Sequence, residues 1–289
     1  MKYRLIKNVK QNEEARKSFI ELTQKIFEFS FVDWYENGYW QDQYIPYSLV
    51  DGDKVVSNVS VNIMDFIIDG EKKKYIQLGT VMTDEAYRKQ GLGRYLMEEV
   101  LEEYKNRVDG IYLFANESAV NFYPKFGFTK EREYKYSKKV SVSKAVKSVE
   151  KVDMKHSKSK ELVLTTLRHM AVNNQLHMDN YGLYAFWLTG AMSDQIYYCE
   201  KEDTFAAAYI MDGILYLNQV ISKHQVNLDT VIASFGNEIK EVVLGFIPLN
   251  TEGYEVKEYK DEDLTLFIMG ENLTIMEKQR LRFPVLSHA

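Results

Sequence analysis

Val81-Met82-Thr83-Asp84-Glu85-Ala86-Tyr87-Arg88-Lys89-Gln90-Gly91-Leu92-Gly93-Arg94-Tyr95-Leu96 reads as a strand that enters a basic, glycine-punctuated loop and leaves it as a helix. Ile76, Leu78, Thr80 and Met82 alternate on one face, the period of a strand. Leu92, Leu96, Val100, Tyr104 and Val108 recur every four residues, with Glu98, Glu99, Glu102 and Glu103 on the opposite, wet side of a helix. A helix start leaves backbone N–H groups unpaired and carries partial positive charge. Glycines at 91 and 93 let the backbone approach an anion without interference from Cβ. Arg88, Lys89 and Arg94 add formal charge at the same point, so the loop suits a pyrophosphate.

Two familiar phosphate motifs do not fit. A dinucleotide fingerprint wants a third small residue at position 96, where Leu96 stands. A P-loop wants Gly-Lys-Ser/Thr, and Gly93 is followed by Arg94-Tyr95. A third pattern, Arg/Gln-x-x-Gly-x-Gly/Ala after a strand, fits throughout. A second block follows it: Asn116-Glu117-Ser118-Ala119-Val120-Asn121-Phe122-Tyr123-Pro124-Lys125-Phe126-Gly127-Phe128.

With both blocks in this order, the sequence resembles the GCN5-related N-acetyltransferase (GNAT) superfamily over roughly Met1 to Ser141. The resemblance implies an α/β (α+β) GNAT fold, a mixed, mostly antiparallel central sheet flanked by helices. It implies acetyl-CoA as cosubstrate, no metal, and an acyltransferase that moves an acetyl group to an amine by direct transfer. By position, the backbone of Val81, Met82 and Thr83 would pair with the pantetheine arm. Arg88, Gln90, Gly91, Gly93 and Arg94 would surround the pyrophosphate, with Lys89 and Leu92 in the same loop. Asn116 would hydrogen-bond the pantetheine chain, Phe122 would belong to the cofactor site, and Tyr123 would protonate the departing thiolate. Pro124 departs from the pattern's ease, because proline disfavours helical geometry at the residue before it. The helix expected over Ser118–Tyr123 is therefore expected to bend there.

Outward from the loop, Tyr3–Val9 alternates as a strand and Glu13–Phe29 carries the spacing of an amphipathic helix. Asp51-Gly52 and Asp69-Gly70 predict two hairpins, and Ile111–Ala115 a further apolar strand. From about Lys138 to Lys160 the composition shifts to Lys, Ser and Val, read as a final strand and a linker. Beyond it the element order repeats: strand Val149–Met154, helix Lys160–Val172, aromatic helix Tyr181–Leu188, strands Gln195–Cys199, Thr204–Met211 and Ile214–Ile221, helix Asp229–Phe235 and strand Glu241–Ile247. The reading is two units, 1–141 as the acetyltransferase domain and 142–289 as a degenerate GNAT-like domain without the cofactor motif.

Composition bounds the rest. With 289 residues, 45% hydrophobic, 27% charged and a net charge of −5, the chain is globular and lacks a broad footprint for nucleic acid. No apolar run approaches the roughly 18–20 residues that span a bilayer. Met1–Lys7 has no signal-peptide core, and one cysteine, Cys199, excludes an internal disulfide framework, so a cytoplasmic location is expected. The histidines at 156, 169, 177, 224 and 288 show no metal-ligand spacing.

The acceptor is less legible: a small-molecule amine of unknown identity is expected. Acetylation of a protein or peptide amine, or a non-catalytic acetyl-CoA-sensing module, are the alternatives. Trp34, Tyr35, Tyr39, Trp40 and Tyr44, mixed with Asp33, Glu36 and Asp42, suit either a cationic amine or the core of a helix pair. Candidate bases are Glu28, Asp33, Glu36, Asp42 and the chain end, Ala289 or His288. An exposed strand edge or the second half could support a homodimer.

Overall fold

The computed structural model describes residues 2–140, 147–260 and 264–288. The chain opens with β1 (Arg4–Lys7), α1 (Glu13–Phe27), the short α2 (Val32–Glu36), β2 (Tyr44–Asp51), β3 (Lys54–Ile68) and β4 (Glu71–Thr83). Next come α3 (Leu92–Tyr104), β5 (Gly110–Ala115), β6 (Thr129–Lys130) and β7 (Glu133–Lys139). The remainder is β8 (Val149–Lys151), α4 (Ser157–Arg168), β9 (Leu176–Asp179), α5 (Tyr181–Thr189), β10 (Ile196–Cys199), β11 (Thr204–Met211), β12 (Ile214–Ile221), α6 (Leu228–Ala233), β13 (Glu241–Leu244), β14 (Glu255–Tyr259) and β15 (Thr265–Met269).

Local chemistry explains most boundaries. Asn12 caps α1 by accepting from the Ala15 N–H at 3.0 Å, and Ala15, Phe19, Leu22 and Thr23 form its buried stripe. Asp69 and Gly70 both have positive φ, the turn that matches the twist of a two-stranded hairpin. The two expected hairpins share one strand, because β3 is long enough to pair β2 on one side and β4 on the other. In α3, Leu92, Leu96, Met97, Val100 and Leu101 are buried while Glu98 and Glu102 are exposed.

The sheets are mixed and flanked by helices, as the resemblance implied. The first has the order β1-β2-β3-β4-β5-β15-β6, with β9 paired to the far end of β3. The second has the order β8-β10-β11-β12-β13-β7-β14. Place by place the two orders correspond, down to one parallel pair in each, β4–β5 and β12–β13. The two halves therefore share one strand order. The sixth place in each sheet is filled from the other half: β15 enters the first sheet and β7 the second. Neither stretch of sequence therefore carries a whole sheet. The expected boundary at 141/142 falls in 141–146, outside the described residues.

The cores follow this exchange. One apolar cluster joins Phe66, Tyr75 and Tyr112 of the first sheet to α4, α5 and the second sheet, with Phe283 between them. A second lies between the first sheet and α3, and a third under α1. No helix among the described residues is long and apolar enough to cross a membrane.

Candidate active site

The parallel pairing of β4 with β5 is short. It joins Tyr75, Ile76 and Gln77 to Gly110, Ile111 and Tyr112. Beyond Gln77, β4 stays with β3, while β5 pairs with β15 as far as Ala115. The two strands splay into a wedge, and the β5-facing edge of Leu78–Thr83 has no ladder partner among the described residues. Edge N–H and C=O groups of that kind need a partner from elsewhere.

The free edge is also bulged. Ser60 pairs with Gly79, but Asn58 pairs with Met82, so β4 carries one extra residue at the wedge. Thr80 sits there at φ +42°, a conformation costly for a β-branched residue. A polar network holds it. Thr80 Oγ1 donates to Ser60 Oγ at 2.6 Å and shares a 2.6 Å hydrogen bond with the Tyr44 hydroxyl. Asn58 Nδ2 donates to the Thr80 carbonyl at 3.0 Å, and Ser48 donates to Asn58 Oδ1 at 2.7 Å. Nothing in the local sequence pattern marks Ser48, Asn58 and Ser60 as one network; only strand register joins them. Asp84 was likewise not anticipated. It accepts from the Ala86 N–H and pairs with Lys25 at 3.3 Å and Lys54 at 3.0 Å, fixing the exit of β4.

The loop after β4 turns through Lys89 at φ +62° and Gly91 at φ +76°. A Cβ at Gly91 would meet open space, so glycine is needed there for its backbone conformation rather than for room. Gly91 stands at the N-cap of α3 with no side-chain cap, and the first turn has no acid. The start of α3 thus keeps its N–H groups and positive potential for another partner. Arg88, Lys89, Gln90 and Arg94 are exposed around it. Gln90 Oε1 accepts from the Tyr3 hydroxyl at 2.8 Å, which steadies the loop. The Leu92 and Met82 side chains are buried in the core, leaving only their backbone groups for a ligand. Gly93 faces Thr83 Oγ1 and the Phe122 ring at ordinary contact distance, which brings Phe122 to the mouth of the wedge.

Asn116 follows β5 and is exposed; its Oδ1 accepts from Ser118 Oγ at 2.8 Å. The expected helix over Ser118–Tyr123 is replaced by two 3₁₀ turns, Glu117–Ala119 and Tyr123–Phe126. The anticipated effect of Pro124 goes further than a bend: the helix is broken, with the proline in the first turn of the second piece. Tyr123 is buried against Phe122, Phe128 and Phe267, the last contributed by β15. Burial pushes its phenol up to about 12, so the hydroxyl holds its proton throughout the physiological range.

The acceptor-side candidates separate. Trp34, Trp40 and Tyr44 are buried with Phe19, Phe31 and Phe186, and Trp34 Nε1 donates to the Gly182 carbonyl at 2.8 Å. These rings are core and a bridge to α5. Tyr35 is partly exposed and already covered by Arg16 at 3.9 Å. Glu28, Asp33, Glu36 and Asp42 face solvent, and Asp42 pairs with Lys10 at 3.0 Å. The His288 ring stacks on Phe114 of β5 at 3.8 Å, and its carbonyl accepts from Trp187 Nε1 at 3.0 Å. Ala289 lies outside the described residues. Among the described residues no group of His, Cys, Asp and Glu is placed to hold a metal.

The model of the acetyltransferase (GNAT) family matches residues 11–128, a span that contains the wedge, the loop and the segment to Phe128. By sequence, no curated protein matches the chain. In fold, the chain is similar to a conserved protein of Enterococcus faecalis V583 described as a probable N-acyltransferase (16% identity, TM-score 0.60, 93% of this chain and 72% of that one). It is similar also to GCN5-related N-acetyltransferases from Kribbella flavida (17% identity, TM-score 0.56, 94% and 72%) and Anabaena variabilis ATCC 29413 (14% identity, TM-score 0.54, 92% and 72%). At such identities the likeness is one of fold, and it extends over both halves. Residues 11–128 are thus similar to the acetyltransferase (GNAT) family, and they sit within a fold shared with structures described as N-acyl- and N-acetyltransferases.

Proposed function

We propose that this protein is a cytoplasmic acetyl-CoA-dependent N-acetyltransferase that moves an acetyl group directly to the amine of a small molecule. The observation that supports this most is the wedge between β4 and β5, which ends at an uncapped, acid-free helix start ringed by basic side chains. The residues present fit the cofactor. Val81, Met82 and Thr83 would offer backbone groups along the free edge. Arg88, Lys89, Gln90, Gly91, Leu92, Gly93 and Arg94 would hold the pyrophosphate, Leu92 by its N–H alone. Asn116 and Phe122 would flank the arm. In the same reading, 1–141 is the catalytic unit and 142–289 a supporting GNAT-like unit that lends β15 to it.

Acetyl-CoA, when bound, supplies an activated acetyl thioester. Tyr123 Oη would give the sulfur a proton or a hydrogen bond. A phenol near 12 lies about 3.5 units above a thiol of pKa about 8.5, so complete transfer is uphill by roughly 5 kcal/mol. Hydrogen bonding to sulfur is the larger part of its role. An alkyl amine of pKa about 10.4 must lose a proton before attack, at a cost of roughly 4.6 kcal/mol at pH 7. Holding amine and thioester together contributes more than either proton.

Acetyl-CoA should raise the melting temperature, by about 2.7 kcal/mol of stabilisation at a hundredfold excess over Kd. Tyr123→Phe should lower kcat at least tenfold with acetyl-CoA affinity within twofold. No melting shift would sink the cofactor assignment, and lost affinity in the Tyr123 variant would make that residue a packing element. Acetyl-CoA consumption over a library of small amines tests the acceptor; intact binding with no turnover would favour a sensing module.

A further inference from the structure

The second half contains a cavity of about 500 Å³ lined from β12, the end of β13 and the Arg282–Val285 segment. Tyr216 and Asn218 of β12, with their neighbours Val243 and Leu244 of β13 and Gly245 just beyond it, form one wall. Trp187, Tyr209 and Tyr259 complete aromatic walls, and Tyr209 and Tyr216 stack on each other at 4.7 Å. Its charged lining is Lys135 and Arg282; no carboxylate lines it.

Arg282 is the unusual member. It is 6% exposed, yet it makes no ion pair with any described residue. Nη1 donates to the Leu244 carbonyl at 3.2 Å, and the guanidinium lies 4.5 Å from the centre of the Tyr259 ring. Nε is buried with no hydrogen-bond partner, and no described group accepts from Nη2. A guanidinium has five N–H donors and keeps its charge, so a buried one is normally matched by an anion. Nε and Nη2 lie on one edge of the group, the fork that receives both oxygens of a carboxylate. The segment bearing it is tied to the chain just past β13 by the Val285 N–H to Gly245 carbonyl hydrogen bond at 2.8 Å.

We propose that this cavity binds a small organic monocarboxylate with a flat aromatic body. The carboxylate would sit on the Arg282 fork with Lys135 beside it, and the ring system would lie between the Tyr216 and Trp187 walls. Gln195 and Asn218 supply neutral polar edges. The volume falls in the range of pockets for ligands of that size. Neither the acetyl-CoA loop nor Tyr123 takes part, so the site stands or falls independently of the acetyl-transfer reading.

Titration calorimetry of the full chain with 2-naphthoate, and with 2-naphthylmethanol as its neutral counterpart, tests this. Naphthoate should bind at least tenfold more tightly than the alcohol, and inorganic phosphate should not compete. Arg282→Lys, which keeps the charge and loses the fork, should weaken naphthoate at least tenfold, and Arg282→Met should abolish the preference over the alcohol. Both variants should retain the near-ultraviolet dichroism of the parent. Because a fold defect would confuse those variants, Tyr216→Ala on the opposite wall provides a second arm, expected to weaken both ligands alike. No binding of naphthoate to the parent chain, or equal binding to parent and Arg282→Met, would overturn the proposal.

Discussion

In the first sheet β4 leads through Asp84–Gly91 into the thirteen-residue α3; in the second, β12 leads through Ser222–Asn227 into the six-residue α6. Gly91 caps α3 with no side chain, whereas Asn227 caps α6 with its own Oδ1, accepting from the Thr230 N–H at 3.1 Å. The first turn of α3 has no acid. That of α6 has Asp229, paired with Lys138 at 2.9 Å. The wedge differs too: the end of β13 is covered by the chain's own Arg282–Val285 segment. One strand order thus supports two unlike sites. In the first sheet β4 and β5 part after three pairs, while β12 and β13 stay paired to the end of β13; the residues at the helix start decide whether an anion is received there or the helix satisfies itself.

The largest effect should come from breaking the join between the halves. Phe283 is fully buried, stacked on Tyr112 at 3.9 Å and packed on Phe66 and Tyr75. Phe283→Ala should cost about 3–5 kcal/mol in urea denaturation. The exchanged strands β7 and β15 should keep unfolding to a single transition. Two transitions, or a loss under about 1 kcal/mol, would show that the halves stand apart.

Next in size is the contrast between helix starts. Gly91→Glu places a side chain in a left-handed conformation and an anion where an anion is to bind, so acetyl-CoA affinity should fall at least a hundredfold, about 2.7 kcal/mol. Asn227→Glu at the matching place in the second half should leave that affinity within twofold. Equal losses measured by calorimetry would erase the distinction.

The smallest effect concerns pH. His288 is partly buried, with its Nε2 enclosed and unpartnered; burial first, then the charge of Arg282, lowers its pKa to about 3. In the unfolded chain a histidine titrates near 6.5. Its contribution is therefore intact above about pH 6.5 and is lost progressively as the pH falls toward 3, where the unfolded state binds the extra proton. At pH 5 the loss should be up to about 2 kcal/mol. His288→Phe, which keeps the stack on Phe114, should flatten the stability profile between pH 7 and 5 by that amount. An unchanged slope would mean the tail is open to water.

The candidate site was legible where its chemistry is local. A strand period ending at Thr83, a loop with Gly91 and Gly93, and a four-residue repeat from Leu92 are read directly from neighbouring residues. Tyr123 was legible as a position but not as a setting: the ring that encloses it, Phe267, lies on a strand far along the chain. Short strands such as β9 and β15 were not anticipated, since four or five residues give too little period to separate a strand from a loop. The aromatic segment was readable in composition alone. Whether Trp34 and Trp40 meet a ligand or each other depends on α5, whose Phe186 and Gly182 close over them.

The sequence by itself determined the strand–loop–helix unit and the anion it suits, because glycine freedom, helix starts and side-chain periods are properties of adjacent residues. Tertiary structure decided which strands share a sheet, how β7 and β15 change places, and where Arg282 is buried. Every strand presents the same N–H and C=O groups to its neighbours, so partner choice follows from which distant side chains can be buried together.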